Sequence, residues 1–268
     1  MTRRHTALAV SLLAAAAVAL GAWWAWNRWF SERANPSMEE FPVRGIDISA
    51  HNGDIDFALL ATERPDFAYV KATEGTDFID RKFYDNARGM ASIGVPAGAY
   101  HFFRFDTDGQ LQAWNFITAL RSLHLQLPPA IDLEEWGNPE GETTGDILRQ
   151  LRRMLAVMSD QGYTPVIYTN KDGYDRFFRR SLHGYPLWIC SFTDLSMAKP
   201  TGAAVRQAAA DSIGGEASAG GSLAQPSAAE TYPFVLWQYS HRGSLPGIPT
   251  AVDLNCAPAP FWEGAISN

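Results

Sequence analysis

Eight short apolar runs, each bounded by Gly, Pro, Asn or Asp, recur along this chain between Val43 and Asn255. They are Val43 to Ser49, Phe67 to Thr73, Pro96 to Phe103, Pro128 to Glu134, Thr164 to Asn170, Pro186 to Phe192, Phe234 to Ser240 and Ala251 to Asn255. Most are rich in Val, Ile, Tyr or Phe, and they read as eight buried strands. Stretches of roughly 20 to 30 residues separate the first five, enough for a helix in each. Phe83 to Ile93, Gln110 to Leu123 and Asp146 to Gln161 are the helical candidates. In the last of these, Ile147, Leu148, Leu151, Leu155 and Met158 form an apolar stripe of helical period. Such alternation predicts an α/β fold of parallel units closed into a barrel. Less helical material lies between the last strands, so the barrel is expected to be irregular there.

Two segments fall outside the pattern. Ala198 to Glu230 is rich in Ala, Gly and Ser and reads as a solvated insertion between the sixth and seventh strands, with Ala203 to Ser212 a candidate short helix. At the N-terminus, Arg3 and Arg4 precede an uncharged stretch from Thr6 to Asn27 whose centre, Leu8 to Leu20, is mostly Ala, Leu and Val. About 20 apolar residues suffice to span a bilayer as a helix. Trp23, Trp24, Trp26 and Trp29 follow, where an interfacial aromatic belt would lie. A cleaved signal peptide is the competing reading, because small residues around Ala17 to Ala19 and Gly21 suit a cleavage site. Cleavage would leave four Trp near a free end, so an uncleaved anchor is favoured. Both readings take the domain out of the cytoplasm, membrane-anchored or secreted. The expected organisation is an anchor or signal peptide over 1–30, a Pro-containing tether over 31–42, and a barrel over 43–268.

Charge and cysteine content exclude some classes. The chain of 268 residues carries a net charge of -7, and residues 1–45, with five Arg and three Glu, leave the rest more acidic still. An acidic domain has no electrostatic footprint for nucleic acid. Cys190 and Cys256 are too few for a disulfide scaffold, and no Cys/His spacing suggests zinc. They read as two small buried hydrophobes, with a disulfide the alternative.

The chemistry is concentrated at strand ends. Ala130-Ile131-Asp132-Leu133-Glu134-Glu135 runs from apolar strand into acids. Residues two apart on a strand share a face, so Asp132 and Glu134 project together from backbone positions about 6.5 to 7 Å apart, with Leu133 and Glu135 opposite. In a parallel barrel the functional mouth lies at the C-terminal strand ends. Paired carboxylates there suit glycoside hydrolysis, one donating a proton and the other stabilising positive charge. A strand-end acid pair that caps a helix or binds Arg is the structural alternative. Asp47 ends the first strand and Asp253 the last, and neighbouring first and eighth strands would bring both to the same mouth. Lys71 and Glu74 follow the second strand, either joining this network or pairing with each other. Tyr100, His101 and Phe102, then Tyr168, Trp188, Trp237 and Tyr239, lie at the same predicted rim, where aromatic faces suit sugar rings. Gln238 is a candidate hydrogen-bond donor, and His101 reads as structural.

These blocks resemble glycoside hydrolase family 25. Gly45-Ile46-Asp47-Ile48-Ser49, Phe67 through Gly75, Gly98-Ala99-Tyr100-His101-Phe102 and Asp132-Leu133-Glu134 match in order. Ile167-Tyr168-Thr169, Leu187-Trp188-Ile189, Trp237-Gln238-Tyr239-Ser240 and Val252-Asp253-Leu254-Asn255 continue the order. The resemblance implies an irregular TIM-like (β/α)5(β)3 barrel acting as a lysozyme, an N-acetylmuramidase. Such an enzyme hydrolyses the β-1,4 bond from N-acetylmuramic acid to N-acetylglucosamine. It implies Glu134 as general acid, Asp132 stabilising the intermediate, and Asp47 and Asp253 completing the acidic site. Asp132 then either attacks directly or orients the substrate's N-acetyl group. Tyr100, Tyr168, Trp188, Trp237, Gln238 and Tyr239 are the expected substrate contacts. The expected partner is the peptidoglycan glycan strand, met by a monomer without cofactor or metal. Cys190 stands where the family often has a small residue, and the anchor and insertion are additions. A non-catalytic wall-binding barrel and a chitinase-like hydrolase are the competing functions.

Overall fold

The computed structural model describes residues 13, 16–23, 34–193, 195 and 232–262. The strands are β1 (Val43–Ile48), β2 (Phe67–Glu74), β3 (Phe78–Ile79), β4 (Ala97–Phe102), β5 (Ala130–Asp132), β6 (Val166–Asn170), β7 (Leu187–Cys190), β8 (Leu236–Gly243) and β9 (Val252–Ala257). They hydrogen-bond in the order β1-β9-β8-β7-β6-β5-β4-β2-β3, and a further β1–β2 pairing closes eight of them into a barrel. The two-residue β3 folds back antiparallel on β2 and is the one strand the apolar runs did not signal. It is short and half exposed, so it carries no buried run to read.

Helical segments follow each of the first five barrel strands. α1 (Phe57–Leu60) follows β1, α2 (Phe83–Ser92) follows the β2–β3 hairpin, α3 (Gly109–Leu120) follows β4 and α4 (Thr144–Asp160) follows β5. After β6 the chain makes Lys171–Gly173, a π-helical turn at Tyr174–Phe178, and Arg179–Ser181. α4 starts where Thr143 Oγ1 accepts from the Asp146 N–H (3.1 Å). Its buried stripe is Ile147, Leu148, Leu151, Met154, Leu155 and Met158. α3 begins at an Asp108 cap whose Oδ1 accepts from the Gln110 N–H at 2.9 Å. Its first residue, Gly109, packs so closely on α4 that a Cβ there would lie 1.8 Å from the Gln150 carbonyl oxygen.

The strands separate two apolar cores. Ile46, Ile48, Val70, Ile131, Leu133, Ile167 and Ile189 face outward to the helices. Tyr69, Ala130, Val166, Tyr168, Trp188 and Leu236 fill the barrel interior. The pleat sends alternate residues to these two cores.

The eight barrel strands fall where expected, with β3 additional, but one direction differs. β9 runs antiparallel to both β1 and β8. Asp253 therefore stands at the start of β9 and not at its end. It still reaches the mouth, because reversal of the strand puts its beginning opposite the end of β1.

Most of the Thr6 to Asn27 segment expected as an anchor lies outside the described residues, as does the whole of the 198–230 insertion. Among the described residues no helix is long and apolar enough to cross a membrane.

Candidate active site

The barrel mouth is acidic. Asp132 closes β5 on the face of Ala130, which belongs to the interior core, while Ile131 and Leu133 belong to the outer one. Its carboxyl group is buried, and Oδ1 has no hydrogen-bond partner. Burial pushes its pKa well above the usual carboxylate range, and the Glu134 charge beside it adds to the shift. Glu134 lies two residues beyond the strand's last regular pair and is partly exposed. Burial, then the charge of Asp47, raise it to about 7, against the opposing pull of Lys71. Two carboxyls so placed cannot both ionise cheaply, so they titrate as a pair.

Asp47 faces the same space from β1. Its Oδ2 accepts from Gln238 Nε2 at 2.9 Å and from Asn255 Nδ2 at 2.8 Å. Burial raises its pKa, and bonds from Asn255, Gln238 and Asp253 oppose that rise. The two amides are themselves held. Tyr168 Oη donates to Gln238 Oε1 (2.8 Å), and Trp188 Nε1 donates to Asn255 Oδ1 (2.9 Å). Tyr100 completes the interior wall, its hydroxyl kept protonated by burial and by the charges of Asp47 and Asp132.

Lys71 supplies the nearby cation. Its Nζ pairs with Glu74 Oε2 at 2.9 Å and lies 5.2 Å from the Phe102 ring centroid. It also lowers the carboxyl pKa of Asp132 and Glu134, so the two sequence readings for this lysine are not exclusive. Glu74 is shared with Arg104 (3.5 Å).

The loop after Glu134 is pinned from several sides. Asn138 Nδ2 donates to the carbonyls of Glu134 (2.9 Å) and Phe103 (3.0 Å), and its Oδ1 accepts from the Phe105 N–H (2.9 Å). Gly137, at φ 82°, offers its carbonyl to Arg104 Nη1 at 2.8 Å. Glu135 turns away to an ion pair with Arg176, the fate expected of its opposite face. Between these anchors Trp136 stands 80% exposed. Sequence pattern singles out neither Asn138 nor Trp136, since both lie past the strand in a loop without periodicity. The signal for Asn255 was present, two residues from Asp253 and so on the same strand face.

The aromatic residues divide. Trp188 is buried between Tyr69 (4.7 Å) and Tyr168 (4.9 Å), beneath the mouth. It is a support for Asn255, not an open sugar platform. Tyr168 and Gln238 likewise spend their polar atoms on each other and on Asp47. Trp237 requires a larger correction: it faces outward, packs on Phe41 (5.5 Å) and donates to the Ser191 carbonyl (2.8 Å). Tyr239, half exposed, also packs on the outer core and lies under the Arg44 guanidinium at 5.4 Å. Alternation holds here, with Leu236 and Gln238 facing inward and Trp237 and Tyr239 outward, so the expectation had the opposite phase.

His101 is enclosed on the outer side. Its Nδ1 meets Thr73 Oγ1 at 2.7 Å and its Nε2 meets Gln112 Oε1 at 3.1 Å. Burial lowers its pKa to about 4, so it is neutral at ordinary pH. Cys190 and Cys256 are both free thiols, each pushed up to about 12 by burial. Among the described residues no group of three or more His, Cys, Asp or Glu is arranged to hold a metal ion.

Residues 46–248 match the profile described as Glycosyl hydrolases family 25. The chain is 25% identical over 224 residues to the autolytic lysozyme of Clostridium acetobutylicum, covering 84% of this chain and 57% of that one. It is 30% identical over 139 residues to an N,O-diacetylmuramidase of Arthroderma benhamiae, covering 48% of this chain and 58% of that one. The chain thus spans somewhat over half the length of these two relatives. Among solved structures, a family 25 glycosyl hydrolase from Bacillus anthracis superposes with a TM-score of 0.64 at 27% identity, covering 84% of this chain and 93% of that chain.

Proposed function

Since the chain belongs to glycosyl hydrolase family 25, we propose that it is a lysozyme that cleaves peptidoglycan at the β-1,4 bond from N-acetylmuramic acid to N-acetylglucosamine. One observation carries the reading: Asp132 and Glu134 stand together at a barrel mouth, with Glu134 raised to about 7. A carboxyl at that value is still substantially protonated near neutral pH and can serve as general acid to the leaving oxygen. Asp132 is the carboxylate for the developing positive charge. A cationic sugar centre beside its unpartnered Oδ1 would offset the cost of ionising it in a buried setting. Asp47 and Asp253 deepen the negative field, and Tyr100 borders it. Trp136, exposed beside Glu134, offers an aromatic face to a sugar ring of the bound glycan.

The relatives named as lysozyme and muramidase support action on the cell wall, outside the cytoplasm. The apolar stretch from Thr6 to Asn27 supports a membrane tether for a monomeric enzyme, which would keep it near its polymer at high effective concentration.

The test is mass analysis of fragments from defined peptidoglycan. Products ending in reducing N-acetylmuramic acid are expected, and their anomeric form separates retention from inversion. Binding of the wall without any cleavage, or preferential cleavage of chitin oligomers, would overturn the reading.

A further inference from the structure

The buried amides beneath the mouth have a fixed handedness. An indole N–H only donates. Trp188 Nε1, 2.9 Å from Asn255 Oδ1, therefore commits that end of the amide to accepting, and the NH2 end must point at Asp47. Flipping the amide would set N–H against N–H and an oxygen against a carboxylate at a fully buried position. Asn255 is fully buried, and Tyr69 and Tyr168 clamp the indole on two sides. Gln238 delivers a second N–H to the same Oδ2. One carboxylate oxygen thus receives two donors, an arrangement that favours the anion and leaves Oδ2 no place for a proton.

We infer that Trp188 and Asn255 are positioning residues that hold Asp47 as an anion facing Glu134, so that Glu134 retains the proton it delivers. The inference rests on the lysozyme reading above. It assigns Trp188, a residue expected to touch sugar, to a task two hydrogen bonds removed from Asp47. The charge of Asp47 acts on Glu134 across the mouth, with Lys71 opposing it. Asp132 from β5, Tyr168 from β6 and Cys190 from β7 also border the pair, and Glu74 from β2 acts on Asp132. Asp253 from β9 and Tyr100 from β4 face Asp47 itself. Substituting Trp188 or Asn255 leaves all of these groups in place.

The experiment is the pH profile of kcat/KM on peptidoglycan for Trp188→Phe, Asn255→Ala and the double variant. Without its donor Asp47 takes up a proton more readily, its field on Glu134 fades, and Glu134 loses its proton at lower pH. The basic limb should move down by about 0.5 to 1 unit in each single variant. The double variant should show no further shift, because both changes break one chain. A merely structural role would lower thermal stability or the height of the profile and leave the limb in place. An unmoved limb in folded Asn255→Ala, or additive shifts, would overturn the inference.

Should Trp188→Phe not fold, carboxyl 13C NMR of the unmodified protein decides the matter. Asp47 should be ionised at pH values where Glu134 is still protonated; a protonated Asp47 there sinks the inference. Absence of peptidoglycan cleavage by the unmodified enzyme would instead count against the lysozyme reading, and the NMR titration would still report on Asp47.

Discussion

Asp47 and Asp253 are direct partners across the antiparallel β1–β9 pair, so two acids remote in sequence meet at one point of the barrel mouth. Their proximity needs an offset, because two bare carboxylates opposite each other on a sheet would repel, and a hydrogen bond between the two side chains supplies part of it. The amides of Gln238 and Asn255 supply the rest on the Asp47 side. This acidic corner sets the field in which Asp132 and Glu134 work, and the expected behaviour of the site follows from it.

Replacing the general acid removes proton donation without changing side-chain volume. Glu134→Gln is expected to lower the rate of reducing-sugar release from peptidoglycan by roughly 10² to 10⁴. Asp132→Asn should also lose most activity while keeping affinity for the wall. Wild-type rates in the Glu134 variant would remove it from the assigned role.

The same residue should cost stability as pH rises. Its folded pKa of about 7 lies above the unfolded value near 4.5, so the folded state binds more protons between those limits. Stability from this group is full below the unfolded pKa and is lost as pH climbs through about 7. The loss is on the order of 1 to 3 kcal/mol after allowance for partial exposure. Glu134→Gln should accordingly melt higher than the parent at pH 8, with the gap closing at pH 4. Equal melting temperatures at pH 8 would contradict a strained carboxylate there.

His101 works in the opposite direction. Its folded pKa of about 4 lies below the unfolded value of 6.5, so the unfolded chain binds more protons between the two. Its contribution is complete above pH 6.5 and declines as pH falls toward 4, by about 3 kcal/mol in all. Imidazole NMR should show no titration of His101 between pH 5 and 8. A midpoint near 6.5 would mean that the ring is not enclosed by Thr73 and Gln112.

Trp136 tests substrate binding beyond the reacting bond. It is 80% exposed among the described residues, so Trp136→Ala should leave the melting temperature nearly unchanged. Loss of a stacked sugar should raise KM for glycan strands by roughly 2- to 10-fold with little change in kcat. A fall in kcat at constant KM would point to a different role.

Much of the architecture was legible because burial leaves a trace in composition. Each barrel strand is a run of apolar residues closed by a turn residue, and the α4 stripe repeats at helical spacing. The acid pair was legible for a similar reason: Asp132 and Glu134 flank Leu133, whose place in the outer core marks the opposite face. β3 was not, because two exposed residues leave no such trace.

The sequence by itself determined which runs form buried strands, which acids lie near their ends, and the family to which that order belongs. Tertiary structure alone decided what each polar group faces. It reversed β9 so that Asp253 meets Asp47 from the strand's beginning, and it turned Trp237 outward while sinking Trp188 beneath the mouth. The physical reason is that alternation and propensity act over a few neighbouring residues. Hydrogen-bond partners such as Asp47 and Asn255 are 208 positions apart and are brought together only when the barrel closes.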